Sequence, residues 1–229
     1  DTLLPETLSS LYEKIFLTKA DIVQGATELL YSLSTPLERF SSMKKIVELV
    51  YDGILEKDEI SENFLCERRH SYFLWGKLFK TNLVRRALEQ IPHFYGILAE
   101  DFMLYYFICR YASRYAGFKK YVYQYNLDTG LTSYQTIYEL KRWECICTAS
   151  SVFTILYSYF KENPPPEQYK IAIQKLCWSY LVNSIKQLHL CVAPKIRAQA
   201  YAMLCDYWGE SFVAKAESAY KNCAEHIQI

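Results

Sequence analysis

Trp75-Gly-Lys-Leu-Phe-Lys80, with the carboxylate pair Glu100-Asp101 behind it, is the stretch from which the rest of the chain is read. The acids open a helical pattern in which Leu104, Tyr105, Ile108 and Ala112 share a face. Acids suit a first helical turn, because free backbone N–H groups and the helix dipole favour negative charge there. The same residues also have the chemistry of a site. A carboxylate can take a proton from a hydroxyl, an indole face can stack on a sugar ring, and a lysine can bond hydroxyl or phosphate oxygens. Just upstream, Arg68-Arg69-His70 reads as a basic rim. The recurrence of Leu74, Leu78, Leu83 and Leu88 predicts a helix from Tyr72 to Leu88, and Pro92 to Leu98 is a short connector containing Gly96.

Outward toward the N-terminus, Pro5 and Glu6 give a helix start, followed by Leu8, Leu11, Tyr12, Ile15 and Phe16 at helical spacing. Ala20-Asp-Ile-Val-Gln-Gly25 predicts a short strand, and Pro36 to Val50 a second amphipathic helix. Residues 52–67 are acidic and poorly periodic, which predicts a loop or short helix on the surface. Toward the C-terminus, Tyr121-Val-Tyr-Gln-Tyr125 alternates as a strand bounded by Gly117 and Gly130, with Thr132 and Ser133 behind it. After about residue 134 come long helical segments. They are broken at Pro164-Pro-Pro166, and residues 167–190 and 195–225 fit two or three more helices.

Composition bounds what such a chain can be. At 229 residues, 51% hydrophobic and 22% charged, it has ample material for one large core or two small ones, and it is not a disordered chain. The net charge of +1 gives no global attraction to nucleic acid, and basic doublets such as Arg85-Arg86 and Lys119-Lys120 are dispersed among acids. The 21 tyrosines and 12 phenylalanines suit either a core bordering a sugar or lipid head group or an ordinary helical core. The eight cysteines contain no C-x-x-C pair, and several fall on apolar helical faces, which points to free thiols in a reducing, cytoplasmic compartment. Cys145-Ile-Cys147 and His189-Leu-Cys191 lack the spacing of a zinc site. Cys145 to Phe160 carries no charge, yet it is shorter than the roughly 20 apolar residues of a spanning helix. It reads as a buried helix, with shallow contact at a membrane surface as the alternative.

In order and spacing, the W-x-K-L-F-K segment, the ED pair and the Y-x-Y strand resemble the second half of the catalytic domain of family 2 glycosyltransferases, which have the GT-A fold. Asp1-Thr-Leu-Leu-Pro5 and Ala20 to Gly25 look like the segments immediately after that family's D-x-D-D metal motif, with Asp1 as the final aspartate. The likeness covers residues 1–133. It implies a mainly α chain with a small β component: an incomplete α/β acceptor-side half over 1–133, then an all-α helical bundle over 134–229. It implies that Asp101 is the general base of an inverting transfer and Glu100 its supporting carboxylate. Trp75, Lys77, Lys80, Tyr123 and Tyr125 are then substrate contacts.

The activity so implied is transfer of a sugar from a nucleotide-sugar, a UDP-sugar by preference, to a glycan or lipid-linked acceptor in bacterial surface polysaccharide synthesis. Mg²⁺ or Mn²⁺ would serve the intact enzyme. The D-x-D carboxylates would lie before Asp1, so the chain reads as a fragment of a longer product, inactive and without metal for want of its donor site. Asn126, Asp128 and Thr129 stand where many members carry a basic residue near the diphosphate. The protein would be cytoplasmic, peripheral at the inner membrane, with a homo-oligomer through the helical tail as a further expectation. The rival reading is a non-catalytic helical protein-interaction domain, in which Glu100-Asp101 only caps a helix and the tyrosines fill a core.

Overall fold

The computed structural model describes residues 1–33, 35–131, 133 and 135–225, with backbone alone for 223–225. Thr132 lies outside the described residues. The chain is mainly α with a small mixed sheet, and it divides into two compact units. The first comprises residues 1–92 with 101–130, the second 93–100 with the residues from 131 onward.

In the first unit the elements run β1 (Thr2–Leu3), α1 (Thr7–Thr18), β2 (Ile22–Leu30), α2 (Leu37–Val47), β3 (Gly53–Glu56), α3 (Asp58–Leu65), β4 (Lys77–Phe79), α4 (Thr81–Leu88), α5 (Glu100–Tyr111) and β5 (Arg114–Asn126). The sheet order is β1-β5-β2-β4, with β3 also paired to β5. Within this sheet β2 and β5 run parallel, and the other pairs are antiparallel. The register of the parallel pair slips at Gly25, where a side chain would collide with Val122: a Cβ there would lie 2.5 Å from Val122 Cγ1. Gly117 is as demanding, since a Cβ there would come within 1.9 Å of the Tyr51 carbonyl oxygen. Helix α1 lies against the sheet through Leu11, which packs with Ala20, Val23 and Ala116. It is anchored by the Thr7 hydroxyl, which donates to the Val122 carbonyl at 2.5 Å.

Three expectations need correction here. The segment from Tyr72 to Leu88 is not one helix. Gly76 adopts φ +71°, which stops any helix there; Lys77–Phe79 pair with β2, and only Thr81–Leu88 are helical. Residues 52–67 contain a strand as well as a helix, because Ile54 and Leu55 pair with Ala116 and Tyr115. The tyrosine strand extends well beyond Tyr121–Tyr125, running through Gly117 to Arg114 rather than stopping at it.

The second unit packs α6 (Leu140–Cys147), α7 (Ala149–Glu162), α8 (Glu167–Leu190), α9 (Arg197–Trp208) and α10 (Glu210–Glu225), with a 3₁₀ turn at Pro194–Ile196. The uncharged stretch from Cys145 to Phe160 is therefore two helices, joined at Thr148. Trp143, Ile146, Leu181, Ile185, Leu204 and Val213 form the core. The buried indole of Trp143 donates its N–H to the Ala200 carbonyl at 2.8 Å, so the ring is both packed and satisfied. Among the described residues, no helix is long and apolar enough to cross a membrane. Cys147 and Cys191 are buried in this core as free thiols.

Candidate functional site

Strand pairing in the first unit decides which of the sequence-derived residues meet. Thr2 pairs with Gln124, and Thr27 with Tyr123, so Asp1, Tyr123 and Tyr125 gather at the carboxyl end of the parallel pair β2 and β5. Ligands of sheets with parallel strands bind at that end. The Asp1 carboxylate accepts the backbone N–H of Asn126 at 2.9 Å, which fixes the first residue on the end of β5. Gly76 closes the same corner: its carbonyl accepts the Gly25 N–H at 3.0 Å.

Trp75 reaches this end of the sheet and stacks parallel on Phe73, Tyr123 and Tyr125, with ring centroids 4.5, 5.0 and 5.2 Å away. Three parallel rings at those distances occupy the faces of the indole. Trp75 also packs with Leu29, Val47 and Leu127, so it organises an aromatic wall inside the protein.

Lys77 turns inward from β4. Its ammonium donates to the Ser71 hydroxyl at 3.1 Å and to the Phe73 carbonyl, and it lies 4.9 Å from the centre of the Tyr105 ring. Burial lowers its pKa to about 7; the nearby Cys109 thiol and Asp101 carboxylate act in the opposite sense. A lysine drawn out of solvent and held by a hydroxyl and a carbonyl is unlike the solvated ammonium of an ordinary surface lysine. Asp101 is partly buried in the first turn of α5, where its carboxylate accepts the Phe102 N–H at 2.9 Å. Glu100 belongs to the second unit and is exposed, and partial desolvation raises its pKa above the usual carboxylate value. Ahead of both, Ala99 is held at φ +70°, a costly conformation for a residue with a Cβ.

Lys80 stands apart from this group. It lies at the other end of β4, where its ammonium pairs with Asp21 at 2.8 Å. Ile22 pairs with Phe79 and Thr27 with Tyr123, which puts roughly 17 Å of strand between the Lys80 and Tyr123 ends. Asp21 also accepts the backbone N–H groups of Ser113 and Arg114. Burial alone would raise the pKa of Asp21, but these bonds and Lys80 hold it below the ordinary value. Lys80 thus fastens the opposite edge of the sheet.

The group that sequence reading missed is His70. It is not part of a basic rim: only 2% of it is exposed, and it is stacked 4.6 Å from Tyr115. Its Nε2 faces the Ile60 carbonyl at 3.1 Å, and a carbonyl only accepts, so Nε2 carries the hydrogen. Nδ1 is then the acceptor for the Tyr105 hydroxyl at 2.9 Å. Burial, with Lys77 close by, pushes the imidazole pKa down to about 3, and the ring stays neutral. Tyr115 donates to Gln24 Oε1 at 3.1 Å, and Gln24 Nε2 donates to Ser71, the hydroxyl that also receives Lys77. A chain of hydrogen bonds therefore runs under the sheet from Tyr115 through Gln24 and Ser71 to Lys77, with the His70 ring stacked on Tyr115 at its far end. The only hint in the sequence is a histidine set directly against Ser71-Tyr72-Phe73.

Metal-ligating side chains do not converge in the same way. Among the described residues there is no group of three or more His, Cys, Asp or Glu placed to hold a metal ion, and Asp1 is committed to a backbone N–H. No protein-family model matches the chain, and no curated protein is significantly similar to it.

Proposed function

We propose that this chain is the acceptor-side part of an inverting, nucleotide-sugar-dependent glycosyltransferase. Residues 1–133 would form the GT-A-like half and residues 134–229 an accompanying helical bundle. The observation that carries the reading is the carboxyl end of the parallel pair β2 and β5, where strand register gathers Asp1, Tyr123 and Tyr125, with Asp101 in the first turn of α5 in the same unit. Asp101 takes the proton of the acceptor hydroxyl as that oxygen attacks the anomeric carbon, and the leaving nucleotide departs from the opposite face. Lys77 supplies the counter-charge and is itself held by Ser71 and Phe73. Glu100 remains the supporting acid. Tyr123 and Tyr125 present their edges and hydroxyls toward substrate, stiffened from behind by Trp75.

Among the described residues no group of three or more His, Cys, Asp or Glu is placed to hold a metal ion, and no step here is derived through Mg²⁺ or Mn²⁺. The cell-surface glycan, the UDP-sugar donor, the cytoplasmic face of the inner membrane and self-association all belong to the same proposal.

The test uses the full product of the native reading frame, assayed with a panel of UDP-sugars and lipid-linked or soluble glycan acceptors. Asp101→Asn should lower transfer by about 10²–10⁴-fold while circular dichroism and the unfolding midpoint stay unchanged. The product should carry the inverted anomeric configuration. Unchanged transfer in Asp101→Asn, a retained configuration, or a reading frame that opens at Asp1 without a D-x-D segment would overturn the proposal and favour the helical interaction domain.

A further inference from the structure

The second unit has a groove of about 390 Å³ that plays no part in the chemistry above. Its walls are the rings of Phe94 and Tyr207, and its polar lining is Ser150, Ser151, Thr154 and the carboxylate of Asp206. We propose that this groove binds a neutral oligosaccharide.

Four observations converge on that ligand. The volume lies at the low end of the range for small-molecule pockets, about 300–1,000 Å³, and the site is broadly open to solvent, which suits part of a longer chain better than a compact enclosed ligand. The lining combines apolar side chains, Phe94, Tyr207 and Ile155, with hydroxyl residues, and pyranose rings likewise combine apolar C–H faces with hydroxyl edges. The one charged side chain in the lining is Asp206, an acceptor that can take two neighbouring hydroxyl donors and that repels carboxylates and phosphates. Finally, the walls are set in advance. Ile97 and Leu98 both donate their N–H groups to the Thr148 hydroxyl oxygen, at 3.0 and 3.3 Å, and that hydroxyl donates to the Cys145 carbonyl at 2.7 Å. The segment carrying Phe94 is thereby tied to the joint between α6 and α7.

Gly96 completes the arrangement. A Cβ at that position would lie 2.2 Å from Phe94 Cε2, so only glycine allows the ring to fold back over the backbone. On the opposite wall, the Tyr207 hydroxyl donates to Glu144 at 2.9 Å and fixes that ring. A preset wall lowers the ordering cost that otherwise weakens shallow sites.

The experiment is saturation-transfer difference NMR on the whole chain with no nucleotide present, so it reads binding whatever becomes of the transfer chemistry. The probes are maltotetraose, cellotetraose, chitotetraose and a hyaluronan tetrasaccharide, each at about 5 mM. At least one neutral probe should receive saturation on its ring protons. Its affinity should fall about tenfold or more in Asp206→Ala and in Phe94→Ala. Asp206 is exposed, so its variant is read even if Phe94→Ala disturbs folding. No saturation of any neutral probe, binding indifferent to Asp206→Ala, or stronger binding of the uronate-bearing probe would each overturn the assignment.

Discussion

The two units use their buried polar groups differently. Beneath the sheet of the first, buried Tyr115, Gln24 and Ser71 bond to one another across elements in a chain that ends on Lys77, with His70 stacked on Tyr115. In the second, Trp143, Ile146, Leu181, Ile185 and Leu204 fill the core, and buried polar groups such as the Trp143 indole, Thr148 and Ser184 bond to backbone carbonyls. Hydrophobic burial dominates a core of the second kind. A core of the first kind adds bonds between side chains that are costly when broken, so it is retained where positions of polar groups matter. The contrast teaches where to look for chemistry in this chain: where buried side chains bond to one another across elements and not only to backbone.

The largest effect tests the apolar side of that contrast. Trp143→Ala removes a fully buried indole and should cost about 3–5 kcal/mol, read as a lower denaturant midpoint and as lost amide protection across α6, α8 and α9. Protection that stayed high in those helices would mean that Trp143 is not the keystone of its unit.

The next effect sharpens the polar side through pH. His70 has a folded pKa of about 3 against 6.5 unfolded, so the unfolded chain binds the extra proton in between, and stability falls as pH drops from 6.5 toward 3. Lys77 has a folded pKa of about 7 against 10.5, so here too the unfolded chain holds more protons, and stability rises as pH climbs above 7. Burial pushes the Cys109 thiol from 9.0 up to about 12, so above 9 the thiol ionises only in the unfolded chain. That contribution opposes the one from Lys77: the rise levels off near pH 9, and stability declines above 10.5. Amide exchange corrected for intrinsic rate should show this profile in β2 and β5. Lys77→Met should flatten the limb between pH 7 and 9, and His70→Gln the limb below 6.5. A profile that kept both limbs in these variants would assign them to other groups.

The smallest effect concerns the surface of the second unit. His189 Nε2 meets Glu217 at 2.9 Å, and Lys221 meets the same carboxylate at 3.3 Å, linking α8 to α10. Glu217→Gln should cost about 1 kcal/mol or less by chemical denaturation, because its partners His189 and Lys221 are solvent-accessible and an amide keeps an acceptor in place. A much larger loss would show that the second unit also relies on polar links.

Legibility in the sequence divides along the same line. The helices of the second unit are visible as long periodic runs broken at prolines, because there local pattern and tertiary burial agree. The start of α5 at Glu100 is visible for the same reason. The stretch around Trp75 is not, because Leu74, Leu78 and Leu83 mimic a helical stripe while β4 is a strand only by virtue of its pairing with β2. His70 escapes because nothing local distinguishes a histidine that will be buried from one left beside two arginines. Trp75 and Lys80 stand out for their chemistry, yet stacking and an ion pair engage them within the protein. Lys77 and Asp101 are singled out by motif; in the fold Lys77 is held by Ser71 and Phe73, and Asp101 accepts the Phe102 N–H.

The parallel pairing of β2 with β5 also governs the order in which the chain can mature. Ile22 meets Tyr115, and Leu30 meets Asn126, so the central strands of the sheet are divided by α2, β3, α3, β4, α4 and α5. During synthesis β2 emerges early and must wait, one edge bare, until all of those elements have been made. Pairings this distant form slowly, and an unpaired apolar edge is a template for association with other chains. A nascent chain stalled anywhere before Arg114 is therefore the form of this protein most in need of a chaperone, and release of that chaperone should track the emergence of β5.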